Sequence, residues 1–145
     1  MTVLSSGSRS DVETIVHPQP KISFLCVEDD HVTRTLLSMM ISMKFPGVQI
    51  HVAENGKIGL ELYREHAPEI IITDVNMPVM DGITMSAEIK AINPRAIIIV
   101  VSAYSNTDYF LNAIEIGINH YILKPIDFNQ LFVTINKSID GIANP

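Results

Sequence analysis

The chain has 145 residues, of which 47% are hydrophobic and 18% charged, enough apolar material for one buried core and too much for wholesale disorder. Ten Lys and Arg against sixteen Asp and Glu give a formal charge of −6, which disfavours direct contact with nucleic acid or an anionic membrane. The longest wholly apolar stretch, Ala96 to Val101, falls far short of the roughly 20 residues a membrane helix needs, and Met1 to Asp11 has neither the basic start nor the apolar run of a secretory signal.

In chain order, residues 1–20 carry Ser5, Ser6, Gly7, Ser8 and Ser10 and then Pro18 and Pro20, and read as a flexible lead-in. Val12, Ile15 and Val16 offer at most one short turn there. Residues 21–140 read as a single domain and 141–145 as a tail. Apolar runs rich in β-branched residues, at Ile22 to Val27, Val48 to Ala53, Ile70 to Thr73, Ala96 to Ser102 and Tyr121 to Leu123, predict five strands.

Between the runs lie segments of helical spacing. Val32, Leu36, Met40 and Met43 line one face of a helix that begins near Asp30, with Asp29 or Asp30 as its N-cap. A second helix fits Lys57 to Glu65, with Ile58, Leu62 and Tyr63 inward. A third runs from Gly82 to about Ala91 on Gly82, Met85, Ile89 and Ile92, and Pro94 enforces its stop. A fourth spans Thr107 to Ile116 with Gly117 as left-handed cap. The fifth runs from Phe128 to about Ile139 and is expected to end before Gly141. Five strands alternating with five helices, several strands apolar throughout, imply a parallel sheet covered on both faces. The right-handed crossover rule leaves few topologies, and the flavodoxin-like, doubly wound α/β order 2-1-3-4-5, taken over from known folds, is the favourite.

Ligands bind beyond the carboxyl ends of the strands in such folds, and here those ends are polar. Glu28, Asp29 and Asp30 follow the first run, Asp74 ends the third, Ser102 the fourth, and Lys124 with Pro125 follows the fifth. Taken singly, Glu28 and Asp29 are ordinary caps, Asp74 a turn aspartate and Lys124 a surface lysine. Their coincidence at four strand ends is what marks a site. The acids outnumber the amine, so a cation is called for, and an all-oxygen donor set points to Mg²⁺. A phosphoryl group arriving without it would meet roughly 3 kcal/mol of repulsion per unit-charge pair at about 5 Å and an effective dielectric near 20.

The stretches FLCVEDDHVTR, IIITDVNMPVMDG, IIIVVSAYS and GINHYILKPID, in this order and spacing, resemble a response-regulator receiver domain from Lys21 to about Ile139. The resemblance implies that Asp74 accepts a phosphoryl group from a histidine kinase or a histidine phosphotransfer protein. It implies Glu28, Asp29, Asp74 and the backbone carbonyl of Asn76 as the Mg²⁺ site, Lys124 and Ser102 as phosphoryl contacts, and Ser102 with Tyr121 as the switch. Glu28 in place of Asp and Ser102 in place of Thr are its departures from the usual pattern. Such a protein is cytoplasmic, and its only catalysis is its own phosphorylation and dephosphorylation.

Phosphorylation would draw the Ser102 hydroxyl inward and free space for the Tyr121 ring, altering the face formed by the fourth helix, fifth strand and fifth helix. On the fourth helix Phe110, Ala113 and Ile114 suit the core. Tyr109 and Ile116 are left as a candidate surface for an effector domain or a second copy. Tyr104, two residues past Ser102, is a candidate shield that lengthens the lifetime of the acyl phosphate.

Other functions weigh less. A Mg²⁺-dependent phosphohydrolase with an aspartate nucleophile places a second aspartate two residues on, where this chain has Asn76. A flavin or nucleotide site needs glycine after the first strand, and Glu28 to Thr33 has none. A module that is never phosphorylated would not need the full acidic, hydroxyl and lysine set. His17, His31, His51, His66 and His120 lack metal spacing and read as surface or loop residues. The single Cys26 reads as a small buried hydrophobe and, with no partner for a disulfide, fits a reducing compartment.

Overall fold

The computed structural model describes residues 22–103 and 107–143, so the lead-in and Tyr104 lie outside the described residues. Strands β1 (Ser23–Val27), β2 (Gln49–Ala53), β3 (Ile70–Thr73), β4 (Ile97–Ser102) and β5 (His120–Leu123) alternate with helices α1 (His31–Lys44), α2 (Gly56–His66), α3 (Gly82–Ile92), α4 (Thr107–Ile116) and α5 (Phe128–Ala143). The strands form one parallel sheet in the order β2-β1-β3-β4-β5, as the pattern predicts.

The central strands are buried on both faces, which is why β1, β3 and β4 are apolar along their length. Alternation along the strands sends Leu25, Val27, Ile71, Ile98 and Val100 to one face, where they meet Leu60 and Tyr63 of α2 and Met85 and Ile89 of α3. Phe24, Cys26, Ile70, Ile72, Ile99 and Val101 face the other way, against Leu37 and Ile41 of α1 and Leu131 and Ile135 of α5. Each such large side chain contributes about 1.5–3 kcal/mol relative to exposure. Helix starts follow side-chain caps: Asp30 accepts from the Thr33 amide at 2.8 Å, Asn55 from Ile58 at 2.9 Å and Asp81 from Thr84 at 2.7 Å. Gly117 (φ +92°) closes α4 in the left-handed region.

Two helices turn a different face inward from the one expected. In α1 the buried residues are Leu37 and Ile41, whereas Val32 and Met43 are 72% and 73% exposed and Leu36 is also exposed. The helix carries apolar residues around most of its circumference, so spacing alone leaves its rotation open. In α4 Ala113 is buried, Phe110 and Ile114 are exposed and Ile116 is half-buried, a reversal of the expected core and surface residues for the same reason. The side chain of Tyr109 lies outside the described residues. Two smaller differences follow: Ile92 is exposed at the end of α3, and α5 runs through Gly141 to Ala143. Gly141 has open space around it and acts as a helical residue, not a cap.

Candidate functional site

Four parallel strands deliver their last residues to one edge of the sheet. Glu28 leaves β1 with its amide bonded to the Ala53 carbonyl at 3.0 Å. The Asp74 amide donates to Val27 at 3.1 Å and the Lys124 amide to Ser102 at 2.8 Å, so the strand ladders themselves set the spacing of the side chains. Glu28 is 4% exposed and Ser102 is fully buried, whereas Asp29 stands in solvent.

Lys124 closes the group. Its Nζ donates to Glu28 Oε1 and to Asp74 Oδ2, both at 2.9 Å. The remaining oxygens are also engaged: Glu28 Oε2 accepts from the Asp30 amide at 3.1 Å, and Asp74 Oδ1 from the Val75 amide at 2.7 Å. Burial pushes the Glu28 carboxyl above its ordinary value, against the opposing pull of Lys124 and the Asp30 amide. For Lys124 burial works against the charge, but its bonds to Glu28 and Asp74 outweigh it and hold the ammonium above its ordinary value. Carboxylate oxygens of Glu28, Asp29 and Asp74 lie within 4.8 Å of one another, an all-oxygen set that suits a hard divalent cation. These three acids and Lys124 are thus brought together as the sequence predicts.

The two residues expected to form the switch lie on the neighbouring strands β4 and β5. Ser102 ends β4 and Tyr121 lies in β5, half-buried against the α2–α3 side of the core. The Tyr121 ring meets Phe110 of α4 edge-on, with centroids 5.8 Å apart and planes at 73°. Asn76 is exposed, two residues past Asp74.

Three supports of the site escaped the reading by residue type. Gly82 opens α3 so close to the acidic loop that a Cβ there would collide with the Asp74 carbonyl oxygen. The Thr73 hydroxyl donates to that same carbonyl at 2.8 Å. Arg34 reaches back from α1 to the Glu28 carbonyl at 2.8 Å. Of these only the Asp81–Gly82 pair carried a signal, a cap followed by glycine.

The remaining candidates resolve into structural roles. Cys26 is buried and its thiol pushed up to about 12 by burial, so it holds its proton at neutral pH. Contrary to their expected surface or loop positions, His51 lies in β2 and His120 opens β5, both half-buried. His51 stacks on His66 with centroids 4.1 Å apart.

The response regulator receiver domain family model matches residues 24–136. The transcriptional regulatory protein ZraR of Escherichia coli is 34% identical over 118 residues, 81% of this chain, of which this chain spans 26%. The chemotaxis protein CheY of Bacillus subtilis is 40% identical over 88 residues, covering 61% of this chain and 73% of CheY. Among solved structures, the N-terminal domain of an uncharacterized protein from Wolinella succinogenes matches with TM-score 0.79 and 38% identity, covering 86% of this chain and 99% of that one. The flavodoxin-like fold with an acidic edge therefore has a family: the chain belongs to the response-regulator receiver domains, the phosphorylation switches of two-component signalling.

Proposed function

We propose that Asp74 is the phosphoacceptor of this receiver domain, and that it takes its phosphoryl group from the phosphohistidine of a kinase or phosphotransfer protein. The observation that carries this reading is the Lys124 ammonium seated at 2.9 Å from both Asp74 and the buried Glu28. An Asp74 oxygen attacks phosphorus, the phosphorus–nitrogen bond of the donor breaks, and an acyl phosphate forms. Lys124 is placed to follow the phosphoryl oxygens as charge moves outward from the carboxylate. Glu28, Asp29, Asp74 and the Asn76 carbonyl would hold Mg²⁺, which would offset negative charge on the transferring group. Ser102 would then bond a phosphoryl oxygen, and Tyr121 would shift against Phe110 and carry the change to α4.

Asn76 has no carboxyl to activate water, so the phosphohydrolase reading is disfavoured and the domain's catalysis is confined to its own aspartate. Two exposed apolar surfaces support a protein-docking role. Val32, Leu36, Met39 and Met43 stand out from α1 beside a groove of about 290 Å³ lined by Thr33, Leu36, Lys124, Pro125, Ile126 and Phe128, a footing for the donor next to the site. Phe110, Leu111 and Ile114 of α4, in place of the expected Ile116, offer a surface for an effector domain or second copy. Among the described residues no helix is long and apolar enough to cross a membrane, in keeping with a cytoplasmic setting. Incubation with a small phosphodonor and Mg²⁺, followed by intact-mass measurement, should give one acid-stable, base-labile phosphoryl adduct. Asp74→Asn should give none, and continuous phosphate release would favour the hydrolase instead.

A further inference from the structure

Arg34 lies one turn into α1, yet its guanidinium turns back to the loop that precedes the helix. Nη1 donates to the Glu28 carbonyl at 2.8 Å and reaches the Asp29 carbonyl at 3.4 Å, while Nη2 stands 3.2 Å from Nδ1 of His31. Two consecutive peptide carbonyls thus share the one nitrogen Nη1 while Nη2 is held against His31, so the planar guanidinium is anchored at both terminal nitrogens, which a lysine ammonium with its single nitrogen does not reproduce. A carbonyl held by Arg34 fixes its peptide plane, and with it the direction in which the attached side chain leaves the backbone. The carboxylates so directed are those of Glu28 and Asp29, which share the 4.8 Å cluster with Asp74.

On the reading given under Proposed function, we propose that Arg34 is a positioning residue for the metal site: it holds the β1–α1 loop so that Glu28 and Asp29 converge with Asp74 to receive Mg²⁺. Arg34 touches neither the phosphoryl group nor the metal, and acts only through the two carbonyls. Its charge works in the opposite direction, since a fixed cation near the acids repels a divalent ion. The two effects predict opposite outcomes on removal, which makes the role separable from simple electrostatics.

The test is calorimetric titration of the full chain with MgCl₂ for the wild type, Arg34→Lys and Arg34→Met, with thermal unfolding of each followed by circular dichroism. Ligand-orienting partners of metal sites are worth about tenfold or more in affinity. Arg34→Met should therefore raise the Mg²⁺ dissociation constant on the order of tenfold. Arg34→Lys should also weaken binding despite keeping the charge, and in both variants phosphorylation should recover to the wild-type rate once Mg²⁺ is saturating. Tighter Mg²⁺ binding by Arg34→Met with unchanged binding by Arg34→Lys would show charge alone at work and overturn the proposal, as would equal affinity in all three proteins. If Arg34→Met does not fold, Arg34→Lys decides. A wild type that takes up no Mg²⁺ removes the metal site and the proposal with it, whereas a wild type that binds Mg²⁺ and matches its variants removes the proposal alone.

Discussion

Lys124 is asked to satisfy two carboxylates at once, and its own burial makes that arrangement sensitive to its loss. With the ammonium gone, Glu28 stays buried with one oxygen deprived of its partner and Asp74 faces it with like charge. Breaking a buried ion pair from one side costs several kcal/mol, because the surviving charge is stranded away from water. Lys124→Met should lower the urea-unfolding free energy by about 3 kcal/mol, and added Mg²⁺ should recover part of the loss by neutralising the same acids. No destabilisation would mean that the three groups do not depend on one another. These residues were legible in the sequence because each ends an apolar run and carries a charge. Arg34 was not, because it acts on backbone carbonyls, and a carbonyl leaves no trace in residue type; Gly82 showed only as a glycine after a capping aspartate, with nothing to tie it to Asp74.

At the scale of elements, the loop from β3 to α3 is tied down by close approach. The Gly82 amide donates to the Val75 carbonyl at 2.8 Å and its α-carbon leaves no room for a side chain beside Asp74. Gly82→Ala should destabilise the domain by about 3 kcal/mol through overpacking against backbone. Because the displaced atom belongs to Asp74, the variant should also form its phosphoryl adduct more slowly. Urea unfolding and timed mass measurement check the two effects, and an unperturbed adduct rate would uncouple α3 from the proposed acceptor Asp74. Strands and helix starts were legible from β-branched runs, helical spacing and, for α1, an Asp cap, to within a residue or two. The inward faces of α1 and α4 were not. Each helix spreads its apolar residues over somewhat more than half of its circumference, and which part of that broad face is buried is set by the sheet and the neighbouring helices.

Taken as a whole, the molecule has a sheet whose edge strand β2 carries His51 stacked on His66 at the end of α2. His51 Nε2 is buried without a hydrogen-bond partner, and burial, helped by the nearby His66, holds His51 below the ordinary imidazole value of 6.5. Glu65 opposes that shift and lies 3.7 Å from His66. Folded His51 binds its proton more weakly than the unfolded imidazole does. Between its depressed value and 6.5 the unfolded chain therefore holds more protons, and stability rises with pH through that interval and is lost as pH falls. Glu28 has the opposite sign, since its raised carboxyl favours the protonated folded state as the pH drops. Comparison with His51→Leu isolates the histidine: the variant should lose less stability than the wild type between about pH 7 and about pH 5 in urea unfolding. Parallel losses would assign the acid sensitivity elsewhere.

Residue order alone pointed to five strands alternating with five helices in a parallel sheet, and to Glu28, Asp29, Asp74, Ser102 and Lys124 at strand ends; the order of the strands came from likeness to known doubly wound folds. Short, continuous apolar runs separated by helical segments call for a parallel sheet covered on both faces, and right-handed crossovers narrow its topologies to a few. The folded chain alone reveals which faces of α1 and α4 meet the core, that Phe110 rests against Tyr121, and that Arg34 and Gly82 hold the acidic loops. Those outcomes depend on distances between segments far apart in the chain and on contacts to backbone atoms, which every residue carries alike.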